Sequence, residues 1–139
     1  MAGSNLFVVD SSYILSVLLP DEKRLPAAKN NLKLITSKKN KIISSPLLEF
    51  EVGNGIRSAL LRKRIKSNSP SILIKNFNLL PIKIEKIDNE RVLSISITNN
   101  LSFYDATYVF LAKSRSAVLL TLDEKLISLV TADPRSPPV

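Results

Sequence analysis

The chain has 139 residues, a length that holds one domain around one core, and its 45% hydrophobic and 23% charged content describes a globular protein rather than a disordered one. It contains no His and no Cys, which excludes zinc sites, thiol nucleophiles, disulfide frameworks and Ser-His-Asp triads, and its three Gly are too few for a glycine-rich phosphate loop. Twenty Lys and Arg against twelve Asp and Glu leave a net charge of +8, a balance that favours a polyanionic partner such as nucleic acid.

Residues 6–9 form a continuous apolar run ended by Asp10, the pattern of a strand buried on both faces of a parallel sheet. Apolar residues at helical spacing follow from Ser11 to Leu19, where Pro20 and Asp21 stop them. Residues 25–36 predict a second, more polar helix, and 41–43 a second strand. Ser45 and Pro46, a capping residue before a Pro at the first helical position, open a long helix to about Arg64. A loop is expected over 67–70, a short helix over 72–80 and an extended segment over 81–84. Residues 89–100 combine β-branched residues with helical spacing and are assigned helix. Ser102 and Asp105 form an S-x-x-D cap for a helix over 102–113, residues 117–120 repeat the buried-strand pattern, and Thr121 with Glu124 caps a last helix to about Val130. Residues 1–5 are thus read as a flexible start, 6–130 as a single domain, and 131–139 as a Pro-rich flexible tail.

Strands alternating with helices predict an α/β fold, a three-layer α/β/α sandwich around a central parallel sheet with right-handed crossovers. That topology gathers the strand C-terminal ends, and the helix starts after them, along one edge, where a site is expected. The apolar run from Tyr13 to Leu19 is far shorter than the ~20 residues a bilayer needs and lacks the flanks of a secretory signal, so a cytoplasmic protein without membrane contact is expected.

Asp10, Asp105 and Asp123 end or interrupt apolar runs, as do Glu49 and Glu51. An unpaired carboxylate in an apolar interior costs several kcal/mol. Each Asp has a structural use as a helix cap or first-turn acid, worth ~0.3–1 kcal/mol. Taken together, though, the topology sends them to the same edge, where they repel one another unless a divalent cation intervenes, and oxygen-only ligands select Mg²⁺ or Mn²⁺. Glu49 and Glu51 stand about 200° apart on a helix and cannot share a face. Glu51 lies on a polar, small-residue stripe with Asn54, Gly55 and Ser58 and is preferred over Glu49 as the contribution of the long helix.

The ordered set Val-Val-Asp10-Ser-Ser12, Ser-Pro46-Leu-Leu with Glu51-Val-Gly-Asn54-Gly-Ile, Leu101-Ser-Phe-Tyr-Asp105-Ala and Leu-Leu-Thr121-Leu-Asp123-Glu-Lys-Leu resembles PIN-domain proteins of the VapC toxin type over roughly residues 6–130. The resemblance implies a PIN-like fold and a metal-dependent endoribonuclease, with an RNA substrate and an antitoxin partner that blocks the site. It also implies a homodimer. Carried over by position, it makes Asp10, Glu51, Asp105 and Asp123 the catalytic, metal-binding acids for one or two Mg²⁺ or Mn²⁺ ions. Ser12 and Thr121 match the hydroxyl positions beside them, and Asn54 the small polar residue of the helix. Gly53 and Gly55 stand where Ala is commoner.

Without His, phosphodiester cleavage requires a cation that lowers the pKa of water, and in-line displacement then leaves 5′-phosphate and 3′-hydroxyl ends. Arg57, Arg62, Lys63, Arg64 and Lys66 extend the helix that carries Glu51, and Lys38, Lys39 and Lys41 precede the second strand; these either track an RNA backbone or are a solvated face. Tyr13, Phe103 and Tyr104 are assigned to core packing in preference to base stacking. Two other classes share some of these features. A non-catalytic interaction module on the same fold would tend to lack some of the acids, and a phospho-acceptor receiver needs an acidic pair that Asp10-Ser11-Ser12 does not supply.

Overall fold

The computed structural model describes residues 5–23 and 25–132; the expectations for residues 1–4 and 133–139 lie outside them. Four strands alternate with helices: β1 (Leu6–Val9), α1 (Ser11–Leu18), α2 (Pro20–Lys23), α3 (Pro26–Thr36), β2 (Lys41–Ser44), α4 (Leu48–Leu61), α5 (Ser69–Asn78), β3 (Ile82–Ile84), α6 (Asn89–Asn99), α7 (Phe103–Ser114), β4 (Val118–Leu120) and α8 (Glu124–Ala132). All pairings are parallel in the order β3-β2-β1-β4, with Val8 of β1 level with Ile43 of β2 and Leu119 of β4.

Successive residues of β1 point to opposite faces, and both faces are covered. Val9 packs with Ile14, Val17, Leu48, Val52 and Ile56 of α1 and α4, whereas Val8 packs with Val92, Tyr108, Leu111 and Leu126 of α6, α7 and α8. Val8 and Val9 are both fully buried, which is why this strand reads as an unbroken apolar run. The sandwich therefore has three layers, as the alternation predicts. Among the described residues no helix is long and apolar enough to cross a membrane.

Several boundaries differ from the sequence reading. Helix α1 does stop before Pro20, with Leu19 extended at φ −72° and ψ 132°, but Pro20 then opens the short α2, at a position where its missing N–H costs nothing. The long helix begins at Leu48 rather than Pro46, because the Ser45 hydroxyl accepts the Leu47 N–H at 3.1 Å and closes a turn over Pro46 and Leu47. It ends at Leu61 rather than Arg64, because Lys63 adopts a left-handed φ of 59° and the Arg64 N–H returns to the Ala59 carbonyl at 2.8 Å. The expected loop over 67–70 is shortened, since Ser69 and Pro70 form the first turn of α5. At the C-terminal end α8 continues through Thr131 and Ala132, two residues into the expected tail.

Helices α1 and α4 approach closely at Gly55, where a Cβ would run into the Leu15 side chain; at Gly53 a Cβ would meet nothing within 4 Å. Gly55→Val is expected to cost about 1–3 kcal/mol by overpacking, with part of the loss recovered by Leu15→Ala in the same chain. Gly53→Ala is expected to stabilise by up to about 1 kcal/mol through helix propensity. Denaturant melts of the four variants test this, and an equal loss for Gly55→Val in both backgrounds would contradict the contact.

Candidate active site

Asp10 follows β1 directly, at the centre of the sheet edge formed by the strand C-termini, and is buried. Its backbone N–H continues the ladder to the Leu120 carbonyl of β4 at 3.2 Å. Its side chain caps α1, accepting the Tyr13 N–H at 3.0 Å and the Ser12 hydroxyl at 2.7 Å on Oδ1, while the Thr121 hydroxyl donates to Oδ2. Ser12 in turn accepts the Leu122 N–H at 2.9 Å. Asp10 is thus held by donors from both strand ends it joins, which accounts for a buried carboxylate with no basic partner.

The other three acids arrive from separate helices. Glu51, in the first turn of α4, is half-buried and accepts the Tyr108 hydroxyl on Oε1; Glu49 is exposed and turned away. Asp105 occupies the first turn of α7, where the Ser102 hydroxyl accepts its N–H at 3.0 Å, the cap predicted from S-x-x-D. Asp123 sits just before α8, its Oδ1 accepting the Leu126 N–H at 3.1 Å while its own N–H donates to Thr121 Oγ1 at 3.0 Å. The expected Thr121 and Glu124 capping box is therefore replaced by Asp123 as the cap. Asn54 is exposed one turn beyond Glu51.

The four carboxylates lie within one another's fields. Burial first, and then the charge of Asp123, pushes Asp10 above the ordinary carboxylate range against the pull of its three donors. Burial, then Asp105 and Asp10, pushes Glu51 up; burial, then Asp123, does the same to Asp105. Arg64, Arg91 and Arg115 find acidic partners elsewhere, at Asp21 and Glu22, at Asp88 and at Glu85. Lys125 is the basic group that reaches this edge: it draws Asp105 downward while its ammonium donates to the Asn100 carbonyl.

The proposed nucleic-acid contacts divide. Arg64 is engaged by Asp21, at 2.8 and 3.0 Å, and by Glu22 at 3.3 Å, so it fastens the end of α4 to α2 rather than standing free for RNA. Arg57 is exposed on α4, but Arg62 and Lys63 lie at and beyond its C-terminal cap, about 16 Å along the axis from Glu51. Lys38 and Lys39 precede β2 and Lys41 is its first residue, so all three lie at the sheet edge opposite the acids. Tyr13 is buried as expected, whereas Phe103 and Tyr104 are exposed, Tyr104 by 59%, beside Asp105. Helix α7 turns its buried face from Ala106 onward, which leaves these two aromatic rings outside the core.

A PIN domain family model matches residues 7–131. The chain belongs to the PIN domain family. This PIN domain is 30% identical over 132 residues to Ribonuclease VapC3 of Pyrobaculum aerophilum, a match covering 89% of the chain and 97% of that relative. Its fold is similar to the crystal structure of PAE2754 from Pyrobaculum aerophilum, with a TM-score of 0.71 at 22% identity over 99% of this chain and 90% of the other. It is also similar to VapC20 of Mycobacterium tuberculosis, a toxin that cleaves the sarcin-ricin loop, with a TM-score of 0.62 at 15% identity over 88% of this chain and 94% of the other.

Carboxylates that raise one another's proton affinity suit a hard divalent cation. Among the described residues, no three acidic side chains draw in tightly enough to enclose a bare ion. The donor set is oxygen only, and a hard divalent cation here would take one or two of the carboxylates directly and keep several waters.

Because Asp10, Glu51 and Asp105 titrate above their ordinary values in the folded PIN domain, the folded state holds more protons than the unfolded one between the ordinary and raised values. Stability then falls as pH rises through that window. In EDTA, Tm is expected to be higher at about pH 5 than at about pH 7.5, and Mg²⁺ or Mn²⁺ is expected to restore it at the higher pH. Asp105→Asn should flatten the profile and gain on the order of 0.5 kcal/mol without metal. Calorimetric scans test both; a parent profile that rises with pH would contradict the mutual repulsion.

Proposed function

We propose that this PIN domain is a VapC-type toxin endoribonuclease that depends on Mg²⁺ or Mn²⁺, with Asp10, Glu51, Asp105 and Asp123 as its metal-binding acids. The observation that carries this reading is the meeting of four acids from four separate chain segments at one sheet edge, with Asp10, Glu51 and Asp105 each driven toward protonation. The 30% identity to a ribonuclease supports RNA as the substrate class.

A bound divalent cation lowers the pKa of water and offsets charge on the phosphate, which are the two functions this His-free chain has no side chain to supply. The chain's own contribution is placement. Ser12, Tyr13 N–H and Thr121 hold Asp10 rigidly, so its carboxylate does not swing away when a phosphate approaches. Asp105 and Asp123 stand at the starts of α7 and α8. Lys125 places a positive charge beside Asp105, among acids otherwise repulsive to RNA.

Glu51, Asn54, Ser58 and Arg62 fall in one line along α4, and the last three are exposed, giving a backbone a polar path away from the acids. Phe103 and Tyr104, exposed next to Asp105, offer rings on which unpaired bases stack. Phe50, Tyr104 and Leu122 are exposed and each adjoins one of the acids in the chain, Glu51, Asp105 and Asp123, which suits an antitoxin segment combining apolar and basic residues.

Cleavage of structured and single-stranded RNA in Mg²⁺ or Mn²⁺ tests the reading. Asp10→Asn, Glu51→Gln and Asp105→Asn are each expected to lose about 10²-fold or more, with Glu49→Gln near parental activity. Activity that persists in EDTA, or that survives the Asp10 and Asp105 substitutions, would overturn it. For binding, Arg62→Ala with Lys63→Ala should reduce the salt slope by about 1 per lost phosphate contact, whereas Arg64→Ala should lower Tm and leave the slope unchanged.

A further inference from the structure

Tyr108 is 1% exposed, and its ring belongs to the core layer built by Val8, Val92, Leu111, Leu119 and Leu126. A buried Tyr hydroxyl needs a partner. Here the partner is Oε1 of Glu51, on a helix that packs against the opposite face of the sheet. The bond therefore crosses over the sheet edge from one helical layer to the other, directly beneath the acids. Tyr108 also follows Asp105 by three residues, so both lie on one side of α7, and its hydroxyl sits in the fields of Asp10 and Asp105 as well as Glu51.

We propose that Tyr108 is a positioning residue: its hydroxyl, donating to Glu51, fixes that carboxylate among the other acids in the orientation that a divalent cation requires. The inference rests on the metal-dependent reading of the site. A Glu in a first helical turn has three free torsions and, among like charges, turns outward to solvent unless something holds it. The Tyr108 hydroxyl is a neutral donor, so it holds Glu51 inward without adding a cation that would compete with the metal. It also ties the placement of α4 to that of α7, so two ligands from different layers share one anchor.

The test is Mn²⁺ binding, read by electron paramagnetic resonance and calorimetry, in the parent, Tyr108→Phe, Glu51→Gln and the double variant. Tyr108→Phe keeps the ring and is expected to keep the fold while weakening Mn²⁺ by about ten-fold or more. In the Glu51→Gln background the same change is expected to have little further effect, because the carboxylate it orients is gone. An equal loss in both backgrounds marks a general loosening of the core and overturns the proposal. So does parental affinity in Tyr108→Phe when Glu51→Gln is weakened, a result that leaves the metal site standing. A parent that binds no Mn²⁺ overturns the metal reading and the positioning role together.

Discussion

Electrostatic repulsion among four carboxylates at one end of the sheet is the constraint around which this molecule is organised. The parallel topology brings Asp10 from the end of β1, Glu51 and Asp105 from first helical turns, and Asp123 from the start of α8 into a shared field. Three of the four are shifted toward the neutral form, which is stability given up in the absence of a cation. The rest of the fold compensates with local donors: helix amides for Asp10 and Asp123, and hydroxyls for Asp10 and Glu51. A bound cation converts this repulsion into attraction, so folding stability and nuclease function draw on the same groups.

Charge is also segregated along the strand direction. The acids occupy the C-terminal edge, while Lys38, Lys39 and Lys41 enter β2 at the other and Arg62 and Lys63 lie at the far end of α4. A net charge of +8 attracts a polyanion without placing basic groups among the four acids, where they would pair with the carboxylates. Lys125 is the exception, and its ammonium is tied to the Asn100 carbonyl rather than lying in an ion pair with Asp105.

Much of the layer architecture was legible in the sequence because buried parallel strands carry unbroken apolar runs, as at Leu6–Val9 and 117–120, and because Ser102 with Asp105 is a local cap whose geometry needs no distant partner. Asp10 was legible for the same reason: a charge ending such a run has few structural uses. Helical angle showed only that Glu49 and Glu51 cannot share a face; the polar, small-residue stripe of Asn54, Gly55 and Ser58 favoured Glu51. What escaped depended on contacts far apart in the chain. Tyr108 looks like an ordinary member of an amphipathic helix, and only the meeting of α4 with α7 shows it bonding Glu51. Lys125 stood two residues from Asp123, so its nearness was available in the sequence; its action on Asp105 was not. The reach of the basic helix was overestimated because the left-handed turn at Lys63 and the Arg64 contact with α2 have no local signature.

Mn²⁺ soaked into crystals of the unmodified protein, located by anomalous diffraction, is the most direct measurement. Like charges held together for a cation predict a peak within coordinating distance of at least one of Asp10, Glu51, Asp105 and Asp123, with the others reaching it directly or through water. A fully occupied crystal with the anomalous signal elsewhere, and these four side chains turned apart toward solvent, would contradict the shared-ion basis of the site.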